Sequence, residues 1–568
     1  MNILGMSYMY HDSAAALVRD GEILAAAAEE RFLRAKHTTE FPVRAIEYVL
    51  QAGGTKINDL DAVVFYEKPF LKFERILKSH LMVFPHSYAS FRRFLPMWLN
   101  YKLRVPDIIR ERTGYKGRVY FTDHHYAHAA SAFLTSPYER AIVLTTDGTG
   151  EWSTLAYGVG EGTKIRLDRD IRFPHSLGLL YSAVTAHLGF TVNEGEGKVM
   201  GLASYGKPRF RKQFEQIIKL FDDGSFQLNM DCFSFHYDLV MTNERFSKLL
   251  IPGRAPESEL REEHYDLAAT LQLVIEEALE RIVIHAHKQY GIDTLVMAGG
   301  VALNCVANGK ILERTPIKHL HVQPASGDDG GALGSALYLY TQRFGGKNRP
   351  TLTHAYLGPE YDNAEVEAAL RARNAPFVRM DEPALLEFVA RSIAEGKIIG
   401  WFQGRMEYGP RSLGNRSILA DARNPKMKDI VNARVKHREG FRPFAPAVPL
   451  EHAQDWFATD QESPFMLLAV PVRPDKADQI PSITHVDGTA RLQTVTEASN
   501  ARFYRLLKEF GSQTGVPVIL NTSFNLRGEP MVCTPTDAFE CFARTNMDML
   551  VMGDYVVHKS ALPGGIGG

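Results

Sequence analysis

Ala141-Ile142-Val143-Leu144-Thr145-Thr146-Asp147-Gly148-Thr149-Gly150, followed by Trp152-Ser153-Thr154-Leu155-Ala156-Tyr157-Gly158, reads as a buried strand, an acidic glycine-rich turn and a second strand. The same layout occurs near the amino terminus. Ile3 to Met6 and Ala14 to Val18 read as strands on either side of the polar turn Tyr10-His11-Asp12-Ser13. A third strand runs through Ile23-Leu24 after Asp20-Gly21, a strong hairpin signal. Two such units, each with polar residues at the first turn, predict a duplicated α/β half-domain whose turns face one cleft.

Between the repeats stands Thr122-Asp123-His124-His125-Tyr126-Ala127-His128, running on into a helix-forming Ala-rich segment. His124 and His128 are four apart, so on a helix their Cβ atoms lie roughly 5 to 6 Å from each other on one face. Two imidazoles so placed can share a metal ion, with Asp147 and Asp328 as candidate further ligands. Asp328 lies in Pro324-Ala325-Ser326-Gly327-Asp328-Asp329-Gly330-Gly331. Two His with carboxylates suit Fe2+, Mn2+ or Zn2+ and leave positions open. His125 points about 100° away from His124 and is expected to be structural. The His-Glu-x-x-His pattern of zinc proteases is missing.

At 568 residues the chain is too long for one core, and 45% hydrophobic with 23% charged residues is ordinary for a globular protein. A net charge of -1 gives no global field toward nucleic acid or an anionic membrane. Neither a signal peptide nor a run of about 18 apolar residues is read, and four scattered cysteines form no C-x-x-C pair, so a cytoplasmic location is expected. Residues 70 to 112 mix bases with Phe70, Phe73, Phe84, Phe91, Phe94 and Trp98. Helical spacing with aromatics inside and bases in solvent is the favoured reading there, over a nucleic-acid surface.

Residues 265 to 288 predict an amphipathic helix, and Thr294 to Ala298 a buried strand. Gly299-Gly300-Val301-Ala302-Leu303-Asn304 then opens another helix, where glycines permit close approach of a ligand. Phe344-Gly345-Gly346-Lys347-Asn348-Arg349-Pro350 is the expected linker between domains 1–345 and 350–568. Beyond it guanidinium groups take over: Arg405 and Arg411 among glycines and Pro410, Lys436, Arg438 and Arg442 before Pro443, then Arg491. Asn521-Thr522-Ser523-Phe524-Asn525 follows a strand. Cations in loops punctuated by Gly and Pro suit a preformed phosphate or carboxylate pocket.

The segments Tyr10-His11-Asp12-Ser13-Ala14-Ala15, Glu29-Glu30-Arg31-Phe32 with Lys36-His37, Asp123 to Ala129, Asn193-Glu194-Gly195-Glu196-Gly197-Lys198, Gly299 to Ala302, Tyr408-Gly409-Pro410-Arg411-Ser412-Leu413-Gly414, Phe441-Arg442-Pro443-Phe444 and Asn521 to Asn525 occur in one order. In this the chain resembles the NodU and cephamycin type O-carbamoyltransferases. The resemblance implies an amino-terminal domain of the actin and hexokinase-like ATPase class (ASKHA, Kae-like), with a duplicated α/β fold, and a carboxy-terminal YrdC-like α/β domain.

It further implies that carbamoyl phosphate and ATP, with Mg2+, react at Arg411, Lys436, Arg442, Arg491, Asn521 and Ser523 to give carbamoyladenylate. His124, His128, Asp147 and Asp328 would hold one divalent metal, iron in this family. Lys36, Asp147, Gly148, Gly299, Gly300 and Asn304 would hold the adenylate, with Lys36 near the carbamoyl group. His11 is the expected general base on the hydroxyl of a small-molecule acceptor, an ordinary imidazole pKa of about 6.5 suiting that role; a structural turn histidine is its alternative. Expected partners are ATP, carbamoyl phosphate and an acceptor such as a natural product or saccharide, without nucleic acid or membrane, in a possible homodimer. The competing functions are a transfer-RNA threonylcarbamoyl-type modification enzyme and a non-catalytic nucleotide-binding protein.

Overall fold

A computed structural model describes residues 1–562. It divides into two compact units, Met1–Glu29 with His37–Leu352, and Glu30–Lys36 with Thr353 onward. The expected linker at 344–350 lies just before that division. The assignment of Lys36 to the first domain is corrected: its segment clusters with the second unit.

In the first unit, β1 (Asn2–Ser7), β2 (Ala14–Arg19) and β3 (Glu22–Ala28) form an antiparallel meander. β4 (Ala62–Phe65) then pairs parallel with β1, and β5 (Val119–Phe121) parallel with β4. The second sheet repeats this plan. β6 (Arg140–Thr146), β7 (Ser153–Glu161) and β8 (Lys164–Arg172) are the meander. After the small hairpin β9 (Ile218–Leu220) and β10 (Phe226–Leu228), β11 (Thr294–Ala298) and β12 (His319–Val322) add in parallel on the β6 side. The sheet orders, β3-β2-β1-β4-β5 and β12-β11-β6-β7-β8, are the same arrangement used twice. This is the duplicated actin and hexokinase-like architecture. Asp20 (φ 50°) and Gly21 (φ 90°) both take positive φ in the β2–β3 turn, the geometry that the Asp-Gly pair favours.

The helix after each last strand also corresponds: His124–Phe133 follows β5 and Asp328–Tyr338 follows β12. They pack closely because Gly334 has no side chain; a Cβ there would lie 1.9 Å from the carbonyl oxygen of Ala127. Two duplicated helices held backbone to backbone bring their first residues, His124 and Asp328, toward one point.

The residue 70–112 expectation holds in part: the segment is helical, and Lys78, Arg92, Arg93, Arg104, Arg110 and Arg112 are exposed. Helices Pro69–Met82 and Tyr88–Asn100 bury Trp98 and pack Phe73 against it, yet leave Phe70 and Phe84 exposed. Lys72, Arg75 and Lys102 are buried instead of solvated. Lys72 pairs with Glu67 at 2.6 Å, and the ammonium groups of Lys72 and Lys102 sit over the Tyr10 ring at 3.6 and 3.8 Å. An ion pair and an aromatic face replace the lost water.

In the second unit one mixed sheet carries β13 (Val378–Arg379), β14 (Ile399–Phe402), β15 (Arg416–Asp421), β16 (Ala445–Pro449), β17 (Leu468–Pro471), β18 (Thr489–Val495), β19 (Ile519–Ser523), β20 (Met549–Met552) and β21 (Tyr555–His558). Their order is β13-β21-β20-β14-β15-β19-β16-β18-β17. Helices Glu382–Ala394 and Ala501–Thr514 bury Leu386, Val389, Ile393, Phe503, Leu507 and Phe510 against Ile399, Trp401, Leu419 and Ile519 of the sheet. The four cysteines are buried free thiols, and among the described residues no helix is long and apolar enough to cross a membrane.

Candidate functional site

The first turn after β6 presents Asp147, and the two corresponding helices present His124, His128 and Asp328. His124 Nε2 lies 3.0 Å from Asp147 Oδ2 and 3.1 Å from His128 Nε2. Asp328 Oδ1 is 3.4 Å from His128 Nε2 and 3.7 Å from His124 Nε2, and Asp147 Oδ2 is 3.8 Å from His128 Nε2. All four side chains are buried. A tetrahedral ion with bonds of 2.0–2.1 Å separates its ligands by about 3.3 Å, so the observed spacing suits one ion bound by two nitrogens and two carboxylate oxygens. The donors crowd one another. Two Nε2 atoms face each other, and the buried Asp328 Oδ1 takes no hydrogen bond among the described residues.

The electrostatics follow from this crowding. Burial opposes charge on His124, but Asp328, Asp147 and Glu67 overcome it and pull its pKa up to about 10. Burial likewise opposes charge on Asp328, which His11, His124 and His128 hold at about 2. Asp147 is held well below the usual carboxylate range by His124 and His128, against its burial. His125 takes no part: Nδ1 pairs with the Thr145 hydroxyl and Nε2 with the Ser153 carbonyl, each at 2.8 Å. Burial and the two neighbouring histidines push it down to about 3.

Three supports escaped sequence reading. Glu67 Oε2 stands 3.7 Å from His124 Nδ1, Tyr66 Oη donates to Asp328 Oδ2 at 3.0 Å, and the Glu151 carboxylate accepts the His124 backbone N–H at 3.1 Å. Glu151 thereby caps the helix that carries both histidines. Tyr66 and Glu67 immediately follow a parallel strand, where polar residues favour a ligand crevice, and that was the available signal.

His11, from the turn that corresponds to Asp147's, has Nδ1 2.8 Å from Asp12 Oδ2 and Nε2 3.8 Å from Asp328 Oδ2. Asp12 also takes His37 Nδ1 at 2.7 Å. Burial lowers His11, yet Asp328 and Asp12 raise it to about 10. Beside the Asp328 and Asp12 carboxylates His11 thus departs from an ordinary imidazole, in the direction that favours its protonated form.

The nucleotide candidates divide. Gly299 (φ 95°) crosses directly over Thr146, whose carbonyl oxygen would be 2.2 Å from a Cβ there, and this lets Gly300 N–H donate to Asp147 Oδ1 at 3.0 Å. Gly148 follows Asp147, its carbonyl taking the Ser176 hydroxyl at 2.8 Å. Asn304 instead spends its amide on the fold. It caps helix Cys305–Arg314 through the Ala307 N–H, 3.0 Å away, and exchanges hydrogen bonds with Gln272 at 2.9 and 3.2 Å. These bonds make it a buried brace of the fold beside the Gly299–Gly300 turn.

In the second unit Lys436 is buried, its ammonium donating to the Ser523 carbonyl, to Asn525 Oδ1 at 2.8 Å and to the Ser523 hydroxyl at 3.3 Å. Burial first, then Arg438, Arg442 and Lys36, press its pKa well below that of an ordinary lysine. Arg438 is likewise lowered by burial, Arg442 and Arg491. Lys36, Lys436, Arg442 and Arg491 thus belong to one cationic field, joined by Arg438, one of the loop cations read from the sequence although not of the set that the resemblance implies. Asn521 donates to Gln493 Oε1 at 2.8 Å and accepts from the Ser412 hydroxyl at 3.4 Å, next to Arg411. Such crowding of like charge suits a polyanion.

Residues 2–337 match the family described as Carbamoyltransferase N-terminus, and residues 390–559 match Carbamoyltransferase C-terminus. An uncharacterized protein of Synechocystis sp. is 44% identical, covering 99% of this chain and 97% of its own. The nodulation protein NolNO of Sinorhizobium fredii is 39% identical over 97% of this chain and 79% of its own. The 3'-hydroxymethylcephem-O-carbamoyltransferase of Streptomyces clavuligerus is 32% identical over 62% of this chain and 63% of its own. Among solved structures, T. kodakarensis HypF aligns over 61% of this chain and 48% of its own with a TM-score of 0.32 and 14% identity. Matches to both family halves and to near full-length relatives leave one assignment: this chain is an enzyme of the carbamoyltransferase family, of the NodU and cephamycin type.

Proposed function

We propose that the protein is an ATP-dependent O-carbamoyltransferase that activates carbamoyl phosphate as carbamoyladenylate in the second unit and transfers the carbamoyl group to an acceptor hydroxyl in the first. The observation that carries the proposal is the pairing of a buried His-His-Asp-Asp cluster, next to His11, with a separate field of Lys36, Lys436, Arg438, Arg442 and Arg491.

In the second unit carbamoyl phosphate loses phosphate to water. The carbamate oxygen then attacks the α-phosphorus of Mg-ATP, and pyrophosphate leaves. The cationic set stabilises the charge that grows on the phosphoryl oxygens, while Asn521 and Ser523 orient the planar carbamoyl head. In the first unit the acceptor hydroxyl attacks the carbamoyl carbon and AMP leaves. His124, His128, Asp147 and Asp328 would hold a divalent ion, Fe2+ first, with Mn2+ or Zn2+ as alternatives; when bound it supplies Lewis-acid stabilisation of the phosphate oxygen of the leaving AMP.

The structure also suggests how His11 becomes a base. Asp12 anchors its Nδ1–H and directs Nε2 toward the Asp328 side of the cleft. With a cation held by Asp328 and Asp147, the largest of the charges that raise His11 would weigh less, leaving Asp12 to orient the ring and burial to favour neutral imidazole. His11 Nε2 then takes the hydroxyl proton.

The test is pyrophosphate release from Mg-ATP with and without carbamoyl phosphate, in the absence of acceptor. Release that requires carbamoyl phosphate is the expected result; release indifferent to it, or none with metal-loaded protein, removes the adenylate step.

A further inference from the structure

Beside the metal-ligand cluster, reached from it through Glu67 and the Thr149 turn, lies a second group of buried polar atoms that the reaction above does not use. Arg75 and Lys102 are at least nine-tenths buried, and neither has a carboxylate oxygen within 4 Å among the described residues. The Lys102 ammonium rests only on rings, 3.8 Å from the Tyr10 centroid and 5.5 Å from that of Trp98. Arg75 stacks on Phe173 at 4.5 Å and donates one N–H to the Thr149 hydroxyl at 2.9 Å, while its buried Nε–H has no acceptor among the described residues. The Tyr10 hydroxyl is also buried, makes no well-formed hydrogen bond among the described residues, and has the Glu67 carboxylate as its acidic neighbour. Glu67 holds Lys72 at 2.6 Å and faces His124 through Oε2, while its buried Oε1 takes no hydrogen bond among the described residues; Glu67 and Glu151 are the acids that act on Arg75.

A protein interior rarely keeps two cations together without a carboxylate partner for either, because each loses its water without a replacement. The donors present here, a guanidinium N–H, an ammonium and a hydroxyl, are complementary to a phosphate or carboxylate group. We propose that Tyr10, Arg75 and Lys102 form an anion subsite of the first unit, which takes the phosphate or carboxylate of a substrate bound next to the His124 cluster. Two sources share this chemistry: an acidic group on the acceptor alcohol, which rests on the transferase reading, or the phosphate of the nucleotide. Tyr10 ties the subsite to His11, its neighbour in sequence, so an anion held there would place an attached hydroxyl at the candidate base.

Lys102 provides its own reporter. Burial and Lys72 draw its pKa down to about 8, so near neutrality part of it is a free amine that trace acetylation can label, and the exposed Lys78 serves as internal control. The experiment reads acetylation of both lysines by peptide mass spectrometry of the full chain, alone and with inorganic phosphate, glucose, glucose 6-phosphate or AMP. A severalfold fall at Lys102 with phosphate, unmatched at Lys78 and not produced by glucose, is expected. Glucose 6-phosphate protecting where AMP does not assigns the anion to the acceptor, and the reverse assigns it to the nucleotide. Arg75→Met is expected to abolish protection while Lys102 remains labelled; if that variant does not fold, the wild-type result decides. Labelling of Lys102 indifferent to every anion overturns the subsite. Pyrophosphate release on the same preparation reports separately on the transferase reading, so the two failures are distinguishable.

Discussion

The two units solve opposite electrostatic problems. In the first, imidazoles and carboxylates raise and lower each other: His11 and His124 move up to about 10 while Asp328 moves down to about 2. In the second, Lys436 and Arg438 are pressed down by burial and by the cations around them. The first cluster is balanced in charge but crowded in geometry, and a small cation relieves it. The second is crowded in charge, and a polyanion relieves it. On the proposed reading, one sequence builds a candidate cation site and a candidate anion site, each legible from the kind of crowding it carries.

The largest effect that would sharpen this contrast is on catalysis. His11→Ala is expected to slow carbamoyl transfer by on the order of 10²–10⁴-fold, the usual contribution of a general base, while acceptor-free pyrophosphate release is unchanged. A parallel loss of both reactions breaks the separation of roles. Next comes Gly299→Ala. A methyl group 2.2 Å from the Thr146 carbonyl oxygen, at φ 95°, is expected to cost roughly 1–3 kcal/mol in denaturant unfolding and to weaken metal retention through Asp147. A variant as stable as the wild type would show that the β6 and β11 turns are not in close register.

The sign of the pH dependence separates metal-free from metal-loaded protein. His11 and His124 have folded pKa values above the ordinary imidazole value of 6.5, so their contribution to stability is full below 6.5 and is lost as pH rises through about 10. Metal-free protein should therefore melt at a lower temperature at pH 9.5 than at pH 6.5. Metal binding requires neutral imidazoles, so adding Zn2+ at pH 7 should release on the order of two protons, measurable with an indicator dye. Smallest is Glu151→Gln, which weakens the cap of helix His124–Phe133 and should cost about 1 kcal/mol, read as a lower melting temperature with metal still bound.

Much of the first unit was legible because duplication is a pattern of order. Strand, polar turn, strand occurred twice, and the two helices that follow the crossover strands begin with His124 and Asp328. The His-x-x-x-His spacing on an apolar helix needed no tertiary information. What could not be read were consequences of long-range packing. Glu67 and Tyr66 belong to no motif and acquire meaning only when β4 lies beside the helix that starts at Asp328. The sequence places Asn304 at a glycine-rich turn but does not reveal that its amide meets Gln272, on the long helix Glu262–Tyr290. Lys36 follows the first meander in sequence, yet its segment clusters with the second unit, where its charge acts on Lys436. The basic aromatic stretch misled in part because periodicity shows which side chains share a face, whereas the Tyr10 ring and Glu67 decided that Lys72 and Lys102 turn inward.

The central claim is that the cation site and the anion site serve different half-reactions, and one crossed measurement tests it. Asp147→Asn and Arg442→Ala are each assayed for bound metal and for carbamoyl-phosphate-dependent pyrophosphate release without acceptor. The account predicts that Asp147→Asn loses the metal and keeps the release, while Arg442→Ala keeps the metal and loses release by on the order of 10²–10³-fold. Loss of both properties in both variants, or release that survives Arg442→Ala, would contradict it.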